Sequence, residues 1–164
     1  FEGEQSSATY EDGQYHISVM GENLTTWGNP GKDWADFDME VEATQVSGPQ
    51  INNYGVQFRY VDNENYYRFD IVSEGYYSFG KVEANQWTDL ISWTESDAIR
   101  NIKATNVIRV VCEGETFTFY VNGIELDSFS DGTFASGDIG LFAGTYDTGN
   151  VHVSFDNLRV DPVE

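Results

Sequence analysis

Arg59 and Arg68 are the first residues whose type and spacing suggest chemistry. The chain has only five arginines, and these two stand in the segments YGVQFRYV (54–61) and YYRFDIVS (66–73). With Gln57, Tyr66 and Asp70 they form one outward set if both segments are strands, because alternate residues of a strand share a face. An arginine offers a rigid fork of donors to hydroxyls or to a carboxylate. A flat aromatic face beside planar hydrogen-bonding groups suits the C–H faces and hydroxyls of a sugar ring. The same residues also allow plain cross-strand pairing of the two arginines with Glu40, Glu42 or Asp70. Trp27 and Trp34 lie in the loop TTWGNPGKDWADF, where one of them could form a ligand platform. The expected ligand-binding set is Glu40, Gln57, Arg59, Tyr66, Arg68, Asp70 and Trp34.

The row Asp36, Asp38, Glu40, Glu42 in DFDMEVEATQV (36–46) places carboxylates at alternate positions. A retaining glycosidase needs two carboxyl groups about 5–5.5 Å apart across the scissile bond. A solvated acidic sheet face is the competing explanation. His16 and His152 stand beside no nucleophile motif, and His152 falls on the outward phase of its segment. There is no G-x-S-x-G, phosphate-binding loop or zinc spacing. Cys112 lies in the apolar run 107–112, where a thiol is expected as a small core residue. No catalytic residue is assigned.

The net charge is −20, from 28 acidic and 8 basic residues. Such a surface repels nucleic-acid phosphates and anionic lipid heads, and it tolerates cations and neutral sugars. No stretch approaches the roughly 18 apolar residues of a membrane helix. At 164 residues and 40% hydrophobic content, the chain is expected to build one domain, 1–164, with one core. The opening FEGEQ is expected to be the start of a mature form or of an excised domain.

The elements that must position these residues are strands. Period-two alternation recurs in 15–20, 36–46, 54–61, 66–73, 76–83, 106–114, 116–126, 138–145 and 151–160, and no long segment has a helical period. VDNEN (61–65), Glu74-Gly75 and Asn122-Gly123 punctuate these runs as turns. About nine to thirteen short strands at this spacing predict a sandwich or barrel. The stretch 92–106 is expected to be a loop carrying a helical turn.

Four runs carry a family likeness: YGVQFRYVDNENYYRFDI, GYYSFGKVEANQWTDLISW, NVIRVVCEGETFTFYVNG and SGDIGLFAGTYDTGNVHVSFDNLRV. In this order they resemble the concanavalin A-like lectin/glucanase superfamily, in particular its laminin-G-like and keto-disaccharide-hydrolase-like domains, and they are similar to levan-binding carbohydrate modules. The resemblance spans roughly 10–160 and implies an all-β, two-sheet antiparallel jelly-roll sandwich. It implies a structural role for Trp87 and Trp93. Laminarinase-type members use an alternating acid row, which is the source of the glycosidase alternative. Members often hold a structural Ca2+ through loop and terminal carboxylates, for which Glu2 and Asp156 are the candidate ligands here. Members usually begin with an extra strand, whereas only FEGEQSSAT precedes YEDGQY. The first strand is then short, or an edge is open to a partner strand. The expected function is a non-catalytic, extracellular or cell-surface module that binds a glycan. The alternatives are a self-assembling surface subunit and a glycoside hydrolase.

Overall fold

Period-two alternation yields thirteen strands among residues 3–163, the part of the chain described in the computed structural model. They are β1 (Ser6–Glu11), β2 (Gln14–Val19), β3 (Thr25–Gly28), β4 (Phe37–Ser47), β5 (Asn52–Asp62), β6 (Asn65–Val72), β7 (Tyr76–Glu83), β8 (Gln86–Glu95), β9 (Thr105–Glu113), β10 (Thr116–Val121), β11 (Ile124–Ser130), β12 (Asp138–Thr145) and β13 (Val151–Pro162). No helix occurs among the described residues, so none is long and apolar enough to cross a membrane. In β4, Phe37, Met39, Val41 and Ala43 are fully buried while the acids between them are not. That alternation presses one face of each sheet onto the other.

The seven-stranded sheet runs β1-β2-β13-β4-β9-β10-β11, and the six-stranded sheet runs β3-β12-β5-β6-β7-β8. Every pairing is antiparallel, which gives the expected jelly-roll sandwich. One contiguous core joins the sheets. Its centre is aromatic. Phe58 of β5 meets Phe117 of β10 edge-on at 5.2 Å between ring centres and stacks on Phe79 of β7 at 5.8 Å. Cys112 is buried in this core, and burial pushes its thiol pKa up. The Asn122-Gly123 turn between β10 and β11 has φ of 52° and 80°, the left-handed pair that a two-residue hairpin requires.

Two expectations are corrected here. The first concerns 92–106. Residues 92–95 continue β8, and 96–104 form turns without a helix. β8 is an edge strand exposed along almost its whole length, so it carries no buried alternation by which a strand could be recognised. The second concerns Arg59. The β5–β6 pairing shifts register between Phe58 and Asp62, and Arg59 takes φ of 45° there. This bulge rotates its side chain from the outward phase to the interior, where only 2% of it is exposed. β1 is six residues long and forms one edge of the larger sheet.

Candidate functional site

The outer face of the six-stranded sheet carries a layer of its own. One cross-strand row runs Gly140, Gln57, Arg68, Gly80, Asp89 through β12, β5, β6, β7 and β8. The next row runs Trp27, Phe142, Gly55, Asp70, Ser78 through β3, β12, β5, β6 and β7. An outer sheet face is ordinarily solvated, yet Gln57, Phe142, Asp70, Ser78 and Tyr66 are all buried here.

The glycines explain how the layer packs. A Cβ on Gly80 would stand 2.3 Å from the Trp87 indole, so Trp87 lies directly on the backbone of β7. A Cβ on Gly55 would stand 2.1 Å from the Phe69 carbonyl oxygen and 3.3 Å from the Phe142 ring, so its absence lets the neighbouring backbone and that ring approach. Arg68 fills the space between these two rings, with its guanidinium carbon 4.6 Å from the Trp87 centroid and 5.0 Å from that of Phe142. The Arg68 fork donates Nε–H to Asp70 Oδ1 at 2.7 Å and Nη2–H to Asp70 Oδ2 at 2.9 Å. Asn53 donates a further bond to Asp70 Oδ2 at 2.9 Å. Burial alone would lower the Arg68 pKa, but Asp70 outweighs it and the guanidinium is held above its ordinary value. The pair is therefore charged internally and neutral as a unit.

Aromatic groups border this centre. Tyr66 stacks on Tyr60 at 5.4 Å and meets Trp27 at 6.3 Å. Trp27 Nε1–H donates to the Tyr60 hydroxyl, which donates in turn to Asn63. At the other end Tyr146 lies close enough to Asp70 and Arg68 to feel their charges, and burial raises its pKa. Tyr146 also forms one side of a depression of about 520 Å³ with Ile51, Glu74 and Asp147. The Gln57 side-chain amide is wholly buried and has no protein hydrogen-bond partner.

The structure thus brings together Gln57, Tyr66, Arg68 and Asp70, and places the other expected residues elsewhere. Arg59 donates to the carbonyls of Ala35 and Phe134 at 2.9 and 3.0 Å, stands 3.4 Å from Asp36, and lies over Phe117. It ties loops to the interior and does not meet Arg68. Trp34 bridges Gly137 through paired backbone bonds and packs against the core. Glu40 is on the outer face of the opposite sheet, 3.9 Å from Arg159. Its row is engaged along its length. Arg109 grips Asp38 with bonds of 2.9 and 2.8 Å, holding that carboxyl below its ordinary pKa, and Asn157 donates to Glu42.

Asp156 accepts bonds from the Asn157 backbone N–H and from Gln14. It borders a cleft of about 570 Å³ between the sheets, with Tyr15, Asn29, Leu141 and Phe155. Glu2 lies outside the described residues. Among the described residues, no three His, Cys, Asp or Glu side chains gather as a metal site.

Sequence reasoning missed Asn53, Trp87, Phe142 and Tyr146. The readable signal for Phe142 was Gly140-x-Phe142-x-Gly144, an aromatic between glycines on one phase of β12.

No protein-family model matches the chain, and no curated protein matches it in sequence. Solved structures do match in shape. A carbohydrate-binding module, CBM66, from Bacillus subtilis is 16% identical with a TM-score of 0.79, over 96% of this chain and 92% of that one. A putative glycosyl hydrolase from Parabacteroides distasonis is 16% identical with a TM-score of 0.67, over 99% and 92%. Sheep galectin-11, solved in complex with glycerol, is 9% identical with a TM-score of 0.60, over 87% and 100%. These likenesses show the concanavalin A-like, galectin-like sandwich fold.

Proposed function

We propose that this domain is a non-catalytic, extracellular or cell-surface module that binds a neutral glycan on the outer face of its six-stranded sheet. The observation that carries this reading is the Arg68–Asp70 pair, flanked by Trp87 and Phe142 and bordered by Tyr146. Trp87 is 40% exposed, so its indole offers solvent a flat apolar face. A sugar ring can lay its C–H face on such a platform while its hydroxyls meet planar donors. Because Asp70 neutralises Arg68, the site presents hydrogen-bonding capacity without net positive charge. That favours hydroxyls over carboxylates or phosphates.

The state of the carboxylates supports the non-catalytic reading. Both oxygens of Asp70 are occupied by donors, and only 1% of the residue is exposed. On the other sheet Asp38 and Glu40 are drawn to arginines and Glu42 to Asn157. Each of these carboxylates faces a donor, which supports binding over cleavage of a sugar bond. The similarity in shape to a carbohydrate-binding module and to a galectin supports the reading without carrying it.

The test is a glycan array spanning fructans, glucans and host glycans, followed by calorimetry on any hit with wild type and Trp87→Ala. Binding to a neutral glycan that weakens about tenfold or more in the variant is expected. Absence of binding across the array, or a hit indifferent to Trp87, overturns it.

A further inference from the structure

The chain contains two histidines, and the fold puts them in contact. His16 on β2 and His152 on β13 are 136 residues apart in sequence, yet His16 Nδ1 and His152 Nε2 stand 3.0 Å apart. Their strands pair with His16 opposite Ser154 and His152 opposite Ser18, so the imidazoles meet diagonally on the outward face of the seven-stranded sheet. This is the sheet opposite the candidate glycan site.

We propose that His16 and His152 form a surface site for a divalent transition-metal cation of the copper(II) or nickel(II) class. Two imidazole nitrogens bound at about 2.0–2.1 Å to one ion stand about 2.9 Å apart when they meet at a right angle, and about 3.4 Å apart at the tetrahedral angle. The observed 3.0 Å is the length of a hydrogen bond between the two imidazoles, and it also equals the spacing at the right angle. That angle is the cis edge of a tetragonal site, the geometry of copper(II) and nickel(II). Imidazole suits these borderline ions, whereas calcium and magnesium prefer oxygen.

The surroundings agree. The strand neighbours of the pair are hydroxyl residues: Thr9 and Ser154 opposite His16, Ser18 and Ser47 opposite His152, and Thr44 opposite Ser154. None of them is basic, and a net charge of −20 raises the local cation concentration. Binding requires that His16 carry its proton on Nε2 and His152 its proton on Nδ1, which frees the two facing nitrogens and breaks the hydrogen bond between them; no net proton is released from the neutral pair. No cluster of three ligating side chains exists among the described residues, so water supplies the remaining positions.

The test is titration of the full chain with copper(II) in a non-coordinating buffer. It is read by electron paramagnetic resonance and by nitrogen-15 spectra of the two imidazoles with nickel(II). One ion per chain with two coordinated imidazole nitrogens is expected. His16→Gln and His152→Gln should each weaken that site about tenfold or more, with unchanged far-ultraviolet circular dichroism. The double variant measures copper held by the chain terminus and the carboxylates. Equal copper affinity in wild type and the double variant overturns the proposal. So do imidazole signals that stay put while metal binds elsewhere, and this wild-type readout does not depend on any variant folding.

Discussion

Arg68 is flanked by Trp87 and Phe142, and its position depends on the missing side chain of Gly80, over which the indole lies. Arg68→Lys keeps the charge but loses both the fork that grips Asp70 and the planar surface that stacks. The expected cost is about 1–2 kcal/mol of stability in urea unfolding, with glycan binding abolished. Trp87→Ala separates the two effects. Because Trp87 is 40% exposed, its removal should leave the unfolding midpoint nearly unchanged while weakening the glycan about tenfold or more.

Gly80→Ala tests the same contact from the backbone side. The new methyl would meet the indole at 2.3 Å and the Thr88 carbonyl at 2.7 Å, so Trp87 must lift away. Loss of the indole's fluorescence response to added glycan, in a protein that still unfolds cooperatively, is the expected result. A response as large as in wild type would show that the platform does not depend on Gly80.

Much of this arrangement was legible in the sequence, and the exceptions have physical causes. Alternation in β4 and β13 identified both faces, because those strands are buried on one side only. It failed at Arg59, where a left-handed residue in a bulge reverses the phase, and sequence periodicity does not announce a bulge. Trp87, for which the family likeness implied a structural role, sits on an exposed edge strand with its ring across its neighbour's glycine. Asn53 and Tyr146 were missed because their roles depend on which strands become neighbours. That is a matter of topology and not of local pattern.

Arg59 supplies a prediction that keeps architecture and site apart. Its guanidinium serves the carbonyls of Ala35 and Phe134 and is almost wholly buried. Arg59→Ala leaves these acceptors without donors and opens a cavity against Phe117, at a cost of about 3 kcal/mol or more. Arg59→Lys should recover only part of it, since one ammonium cannot span both carbonyls. In calorimetry the folded fraction of Arg59→Lys should bind glycan as wild type does. A selective loss of affinity would return Arg59 to the site.

Gln57 carries the opposite expectation. A buried amide without a protein partner costs about 1–3 kcal/mol relative to one that is satisfied. Gln57→Met, which keeps the length and removes the polar atoms, should raise the thermal midpoint or leave it unchanged. If the amide serves the glycan, the same variant should bind more weakly, so stability and affinity would move in opposite directions. A destabilised variant with normal affinity would mean that the amide supports the fold.

Acid stability should depend on Asp131, at the end of the core that faces β6 and β7. Its Oδ1 accepts the Tyr67 hydroxyl at 2.5 Å and its Oδ2 faces Lys81 Nζ at 3.3 Å. Burial alone would raise this carboxyl, but hydrogen bonds from Thr133, Tyr67 and Lys81 outweigh it and bring the pKa from 3.8 down to about 2. An unfolded chain takes up the proton first, near the ordinary value, so protonation favours unfolding. The contribution of Asp131 is therefore complete above about pH 4 and falls away as the pH drops toward about 2. His152 acts in the same direction at a higher pH: its lowered pKa makes the folded domain reluctant to protonate it, so stability declines as the pH falls below about 6.5. Urea midpoints measured from pH 8 to 2 should show two declines. His152→Gln should remove the upper one and Asp131→Asn should flatten the lower one. A lower decline of equal depth in Asp131→Asn would assign it to other carboxylates, with the Arg109-bound Asp38 next in line.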